Sequence, residues 1–141
     1  MSESKVVYDA NILGIMKLFE NITRSRIKDC IVEPEKLIFI VETGELRKAL
    51  GKGAENVRKL SEKFGKKVKI VEYNVDLLKL ITAFIHPLKV DAMHEEDGVV
   101  ILESTDTKTK GLLIGRAAKN LRQLEDYIRR FVPALKEIKV V

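Results

Sequence analysis

The sequence holds one cysteine, two histidines and a single glutamine in 141 residues. The lone Cys30 builds neither a disulfide framework nor a thiolate zinc site. Inside an expected strand and without a persuasive base, it reads as a core residue rather than a nucleophile. His86 and His94 fall at a helix stop and next to a hairpin turn, so a solvated turn is the better reading than a metal site, even with Glu95, Glu96 and Asp97 nearby. No apolar stretch approaches the roughly 18 residues of a membrane span. The opening MSESKVVYDANILG also lacks the basic, apolar and small-residue succession of a signal peptide, so a soluble, cytoplasmic protein with no membrane partner is expected. Nucleotide motifs are missing as well. A P-loop needs a closer glycine pair than Gly44 and Gly51 and a hydroxyl residue after its lysine, where Gly53 stands; a dinucleotide fingerprint needs a third glycine where Asn56 stands. No catalytic constellation, cofactor site or small-molecule substrate site emerges, and a non-enzymatic protein is expected.

What is present is basic charge, unevenly spread. The net charge is +5. Between Gly44 and Ile70 nine basic residues stand against three acidic ones, and between Lys108 and Arg130 seven stand against two. These two clusters exceed the net charge of the whole, so the remainder is acidic and the basic surface is local.

The clusters are copies of one another. GKGAENVRKLSEKFG (51–65) aligns with GRAAKNLRQLEDYIR (115–129), with Gly, Ala, Asn, Arg and Leu coinciding in the first ten positions. Val57, Leu60 and Phe64, and likewise Leu121, Leu124 and Ile128, recur at the i, i+3, i+7 spacing of a helix stripe facing a core, which turns Arg and Lys outward.

The surrounding elements repeat too. In the first half, Ile12, Met16 and Phe19 mark a helix capped by Asp9; strands 27–32 and 37–41 flank a turn at Pro34; a short helix 44–50 precedes the loop, the basic helix follows, and a strand over 66–73 closes the unit. In the second half, a helix over 75–85 stops at His86-Pro87, strand 88–94 meets strand 99–104 through a turn at Asp97-Gly98, a polar loop 105–110 leads to a short helix 111–115, and the second basic helix precedes a strand over 135–141. Both halves read αββααβ. The expected fold is α+β, with two domains, 1–74 and 75–141. Each has a three-stranded mixed sheet with helices packed on one face, and the short join implies a fixed docking.

Two αββααβ units, each with a Gly-basic-small-small loop before its third helix, resemble tandem type II KH domains, with GKGA and GRAA in place of the family's GxxG. Two such units in about 140 residues resemble the short archaeal NusA-like factors of transcription termination and antitermination. The resemblance implies a single-stranded RNA-binding protein that follows nascent transcripts, with RNA polymerase as a protein partner. Gly51, Lys52, Gly53 and Ala54 would form one phosphate clamp, and Gly115, Arg116, Ala117 and Ala118 the other. Arg58, Lys119 and Arg122, on outward helix faces, are further phosphate-contact candidates. Ala54 and the two alanines of the second loop depart from the glycine pattern, and alanine is expected to suit a helix start better than glycine. A ribosome-associated or RNA-processing KH protein, and a protein-interaction scaffold whose loops no longer hold RNA, are the alternatives.

Overall fold

The computed structural model describes residues 10–141; the expected cap Asp9 lies outside the described residues. The chain forms two compact units that part between Asn74 and Val75.

The first unit comprises α1 (Ala10–Thr23), β1 (Ile27–Val32), β2 (Lys36–Val41), α2 (Leu46–Leu50), a 3-10 turn (Lys52–Ala54), α3 (Glu55–Phe64) and β3 (Lys67–Glu72). Its sheet is mixed in the order β1-β2-β3, with β1 antiparallel and β3 parallel to the central β2. The hairpin closes through paired backbone bonds between Glu33 and Lys36, with Pro34 in the turn, where its fixed φ fits and its missing N–H leaves no donor unsatisfied. The apolar run of β2 is buried along its length. Leu37, Phe39 and Val41 join Phe19, Cys30, Ala49 and Leu60 in one core, and Ile38 and Ile40, which alternate with them, are buried as well. A continuous apolar run rather than an alternating one is the sequence form of a strand covered on both faces. Phe39 is the centre of the aromatic packing, stacked on Phe19 at 4.3 Å between centroids and tilted against Phe64 at 6.1 Å. Ile12 and Met16 of α1 flank this core, as their spacing with Phe19 predicts, and Ile15 joins them.

The second unit repeats the order with α4 (Leu77–Ile85), β4 (Ala92–Glu96), β5 (Val99–Glu103), α5 (Thr107–Ile114), a 3-10 turn (Arg116–Ala118), α6 (Lys119–Arg129) and β6 (Glu137–Val140). Its sheet is β4-β5-β6, again antiparallel then parallel. Asp76 caps α4, its carboxylate accepting from the N–H groups of Leu78 and Lys79. Phe84 of α4 packs on Tyr127 of α6 and on Phe131 just beyond it, while Leu80, Val100, Leu102, Ile128 and Ile138 are fully buried.

Several boundaries differ from the sequence reading, and four of the differences have an identifiable cause. Strand β4 runs from Ala92 to Glu96 rather than over 88–94, because the two-residue Asp97-Gly98 turn, both residues at positive φ, sets Glu96 directly against Val99 and draws the glutamates into the ladder, a register that pairs Ala92 with Glu103 at the end of β5. Helix α5 begins at Thr107, inside the expected polar loop. Asp106 caps it, accepting from the Lys108 N–H and the Thr109 hydroxyl, and these bonds hold the Asp106 carboxyl below its ordinary range. Helix α2 begins at Leu46, since the Glu45 carboxylate is turned to the Arg26 N–H instead of capping an earlier turn. Strand β6 begins at Glu137, because Arg129 takes the carbonyls of Leu135 and Lys136, at 3.0 and 2.6 Å.

Phe39→Ala should lower the unfolding free energy of the first unit by about 3–5 kcal/mol, since it deletes a ring at the middle of a close-packed core. Chemical denaturation monitored in that unit measures it, and a loss below about 1 kcal/mol would show that the core closes over the gap.

Candidate nucleic-acid interface

The two loops between the second and third helices of each unit share one backbone. Gly51 has φ 74° and ψ −179°, and Gly115 has φ 74° and ψ 174°. Only glycine occupies that region readily. The next-but-one residues, Gly53 (φ 60°, ψ 27°) and Ala117 (φ 54°, ψ 32°), are left-handed. So are Ala54 (φ 57°, ψ 30°) and Ala118 (φ 60°, ψ 23°), from which α3 and α6 start. Alanine carries here a strain of about 1–2 kcal/mol that glycine does not. The expectation that Ala54 and Ala118 suit a helix start is therefore corrected. Alanine favours a helix interior, whereas both residues sit one step before the helix with φ above zero.

Each turn is closed by the N–H of its last residue on the carbonyl of its first glycine, Ala54 to Gly51 and Ala118 to Gly115, both at 3.2 Å. The following amides, Glu55 and Lys119, bond to the carbonyls of Lys52 and Arg116. Where a left-handed residue adjoins a right-handed one, neighbouring backbone N–H groups turn to one side in a nest; with those of Ala54, Glu55, Ala118 and Lys119 held in the turn bonds, what each loop offers an anion is its tip and the positive end of the helix that follows.

The glycines are required for a second reason. A Cβ on Gly51 would stand 2.9 Å from Asn56 Nδ2, and a Cβ on Gly115 would stand 2.6 Å from Asn120 Cγ, both closer than Cβ atoms approach. Asn56 Nδ2 donates to the Ala49 carbonyl at 3.0 Å and Asn120 Nδ2 to the Leu112 carbonyl at 2.9 Å. These asparagines were not among the expected site residues, although their coincidence in the repeat was the signal that marked them.

The cations fall into three groups. Lys52 and Arg116, at the loop tips, and Lys119, at the head of α6, are exposed and make no ion pair among the described residues. Arg58, also exposed, lays its guanidinium Nη1 on the Gly53 carbonyl at 3.2 Å, within the loop itself. Arg122, at the corresponding place in the second unit, is instead held away from its loop. Its Nη1 donates to both oxygens of Glu125, at 2.7 and 2.8 Å, and Glu125 is 2% exposed and accepts from the Ile138 N–H at 2.7 Å. The first unit has Ser61 where the second has Glu125, and Ser61 donates to the Lys66 carbonyl. Arg122, a phosphate-contact candidate in the sequence reading, is thus engaged with Glu125 while its side chain stays half-exposed. No group of His, Cys, Asp and Glu able to hold a metal occurs among the described residues, and no helix there is long and apolar enough to cross a membrane.

An αββααβ unit with a glycine-led left-handed turn opening its third helix is the architecture of the KH class, and the KH domain family model matches residues 15–89. The "Probable transcription termination protein NusA" of Methanocaldococcus jannaschii is 36% identical over 132 residues, covering 90% of this chain and 72% of that protein. The protein of the same name from Methanococcus vannielii is 31% identical over 129 residues, covering 89% and 74%. The solved structure "Crystal structure of APE1850" superposes with a TM-score of 0.73 at 25% identity, over 95% of this chain and all of that one. The chain belongs to the archaeal NusA family of KH-domain proteins.

Two stability effects follow from this geometry. Ala54→Gly should raise the unfolding free energy by about 1 kcal/mol through relief of left-handed strain; an unchanged or lowered denaturation midpoint would show that no strain resides there. Arg122→Ala should cost about 1–3 kcal/mol by leaving the buried Glu125 carboxylate without its charged partner, while Arg58→Ala, at an exposed position, should change the midpoint little.

Proposed function

We propose that the chain binds single-stranded RNA through both of its loops and acts on nascent transcripts in transcription termination or antitermination, with RNA polymerase as its protein partner. The second unit is, in this reading, a second KH domain spanning 75–141, beside a first one within 1–74. The observation that carries the reading is the recurrence of one strained backbone in both units. Each copy also carries an exposed cation at the tip, Lys52 or Arg116. A backbone nest at a helix start accepts phosphate oxygens at close range because its first glycine has no side chain and its last two residues are small. The names of the relatives supply the process, transcription termination.

Gly51, Lys52, Gly53 and Ala54 form the first clamp in this account, and Gly115, Arg116, Ala117 and Ala118 the second. Unstacked nucleotides run past each loop with their phosphates at the nest and their bases along the adjoining surface, which favours single strands over the stacked geometry of a duplex. Lys119 extends the second phosphate track. Arg58 shapes the first loop and lies beside it.

Affinity for short single-stranded RNA over a salt series tests this, with a duplex of equal length and the double variant Lys52→Asp/Arg116→Asp as controls. Neutralising four to six phosphates gives a log-log slope of roughly −3 to −4, so raising salt from about 50 to 200 mM should weaken binding about a hundredfold. The double variant, changed only at exposed tips, should keep its fold and lose most of that slope. Equal affinity of the native chain and the variant would remove the loops from the RNA site.

A further inference from the structure

We propose that Asn56 and Asn120 are the positioning residues of the two phosphate loops, holding each nest in its left-handed form. This rests on the reading of the loops as RNA clamps. Each asparagine lies in the first turn of the helix after the loop, and its amide donates to a carbonyl in the helix before it: Ala49 in α2 and Leu112 in α5. The last carbonyls of a helix lack donors from their own helix. The amide supplies one and fastens the two ends of the loop together. It also fills the space over the first glycine, 2.9 Å from a Gly51 Cβ position and 2.6 Å from that of Gly115. The glycine is therefore seated against the amide and the turn starts from a fixed direction.

What the fastening controls is the conformation of the residues that follow. With glycine at the later loop positions, a left-handed backbone is adopted without penalty. Here Ala54, Ala117 and Ala118 hold positive φ against their own preference, so the loop composition does not enforce the shape. Released from the asparagine, these alanines relax toward negative φ, the turn bonds from Ala54 to Gly51 and from Ala118 to Gly115 open, and the tip of the loop no longer holds its shape beside the helix start. The first loop retains Gly53 and has one strained alanine, whereas the second has two. The second loop accordingly depends more on its asparagine than the first.

The test compares full-length chains carrying Asn56→Ala, Asn120→Ala, or both, against oligouridylate and oligoadenylate, with thermal unfolding run in parallel. Loss of a hydrogen bond from an amide to a charged phosphate is worth about tenfold or more in affinity. The double variant should therefore bind at least about tenfold more weakly, with its salt slope flattened by about 0.7 for each phosphate no longer engaged. Asn120→Ala should weaken binding more than Asn56→Ala. Adding Ala117→Gly and Ala118→Gly to Asn120→Ala should restore binding, since glycine takes left-handed φ without being held there. A defect that persists in that triple variant means the asparagine acts by something other than holding left-handed φ, and overturns the proposal. Folded variants that bind with native affinity and slope overturn it too, as does a loss of binding that follows the folded fraction at an unchanged slope. If the double variant does not fold, amide exchange in Asn56→Ala decides: faster exchange confined to residues 52–55 supports the positioning role, and a change spread through the first unit overturns it. A native chain that binds neither RNA removes the clamp reading and this one with it, an outcome distinct from native binding that survives both substitutions.

Discussion

The structure turns on one contact made twice, a glycine α-carbon seated against an asparagine amide at the base of each loop. It fixes the direction in which the chain leaves the second helix, and so where the third helix begins. From there the apolar stripe of the third helix is brought onto its sheet, Leu60 in the first unit and Leu121, Leu124 and Ile128 in the second. The basic residues of the same helices then fall outward because the stripe has been turned inward. A side chain on Gly51 or Gly115 would have to displace an amide that already satisfies a helix-end carbonyl, so loop geometry and helix packing are settled by the same few atoms.

Upon this shared base the two units have diverged in how they manage the arginine one turn into the third helix. In the first, Arg58 bends to the Gly53 carbonyl and becomes part of the loop. In the second, the carboxylate of Glu125 is buried to hold the backbone of β6, and burial of that charge is tolerable because Arg122 covers it. The same residue type thus belongs to the loop in one copy and to the junction of helix and sheet in the other. A burial effect of another kind touches the first sheet, where desolvation and the neighbouring Lys36 hold the Lys69 ammonium below its ordinary range.

Much of this was legible in the chain itself. The i, i+3, i+7 stripes, the Pro34 and Asp97-Gly98 turns, and the offset repeat placed most elements and both loops, because each is a local signal with one physical meaning. Where the reading slipped at α2, at β6 and over Arg122, a side chain reached beyond its neighbours. Glu45 turns to Arg26, Arg129 spans to the carbonyls of residues 135 and 136, and Glu125 reaches across to Ile138; none of these pairings leaves a periodic trace. The asparagines were visible as letters in the repeat but not as contacts, since an amide bonded to a carbonyl seven or eight residues earlier has no spacing rule. The alanines misled because propensity scales describe helix interiors, and these residues stand at a left-handed threshold.

The left-handed alanines also bear on how such loops are to be found. A search keyed to glycine at both ends of a four-residue loop would pass over both of these, although their dihedral angles are nearly the same as each other. The invariant lies in the sign of φ at successive positions and in a glycine followed five places on by an asparagine, Gly51 to Asn56 and Gly115 to Asn120. Described in that alphabet, the second copy is no more degenerate than the first.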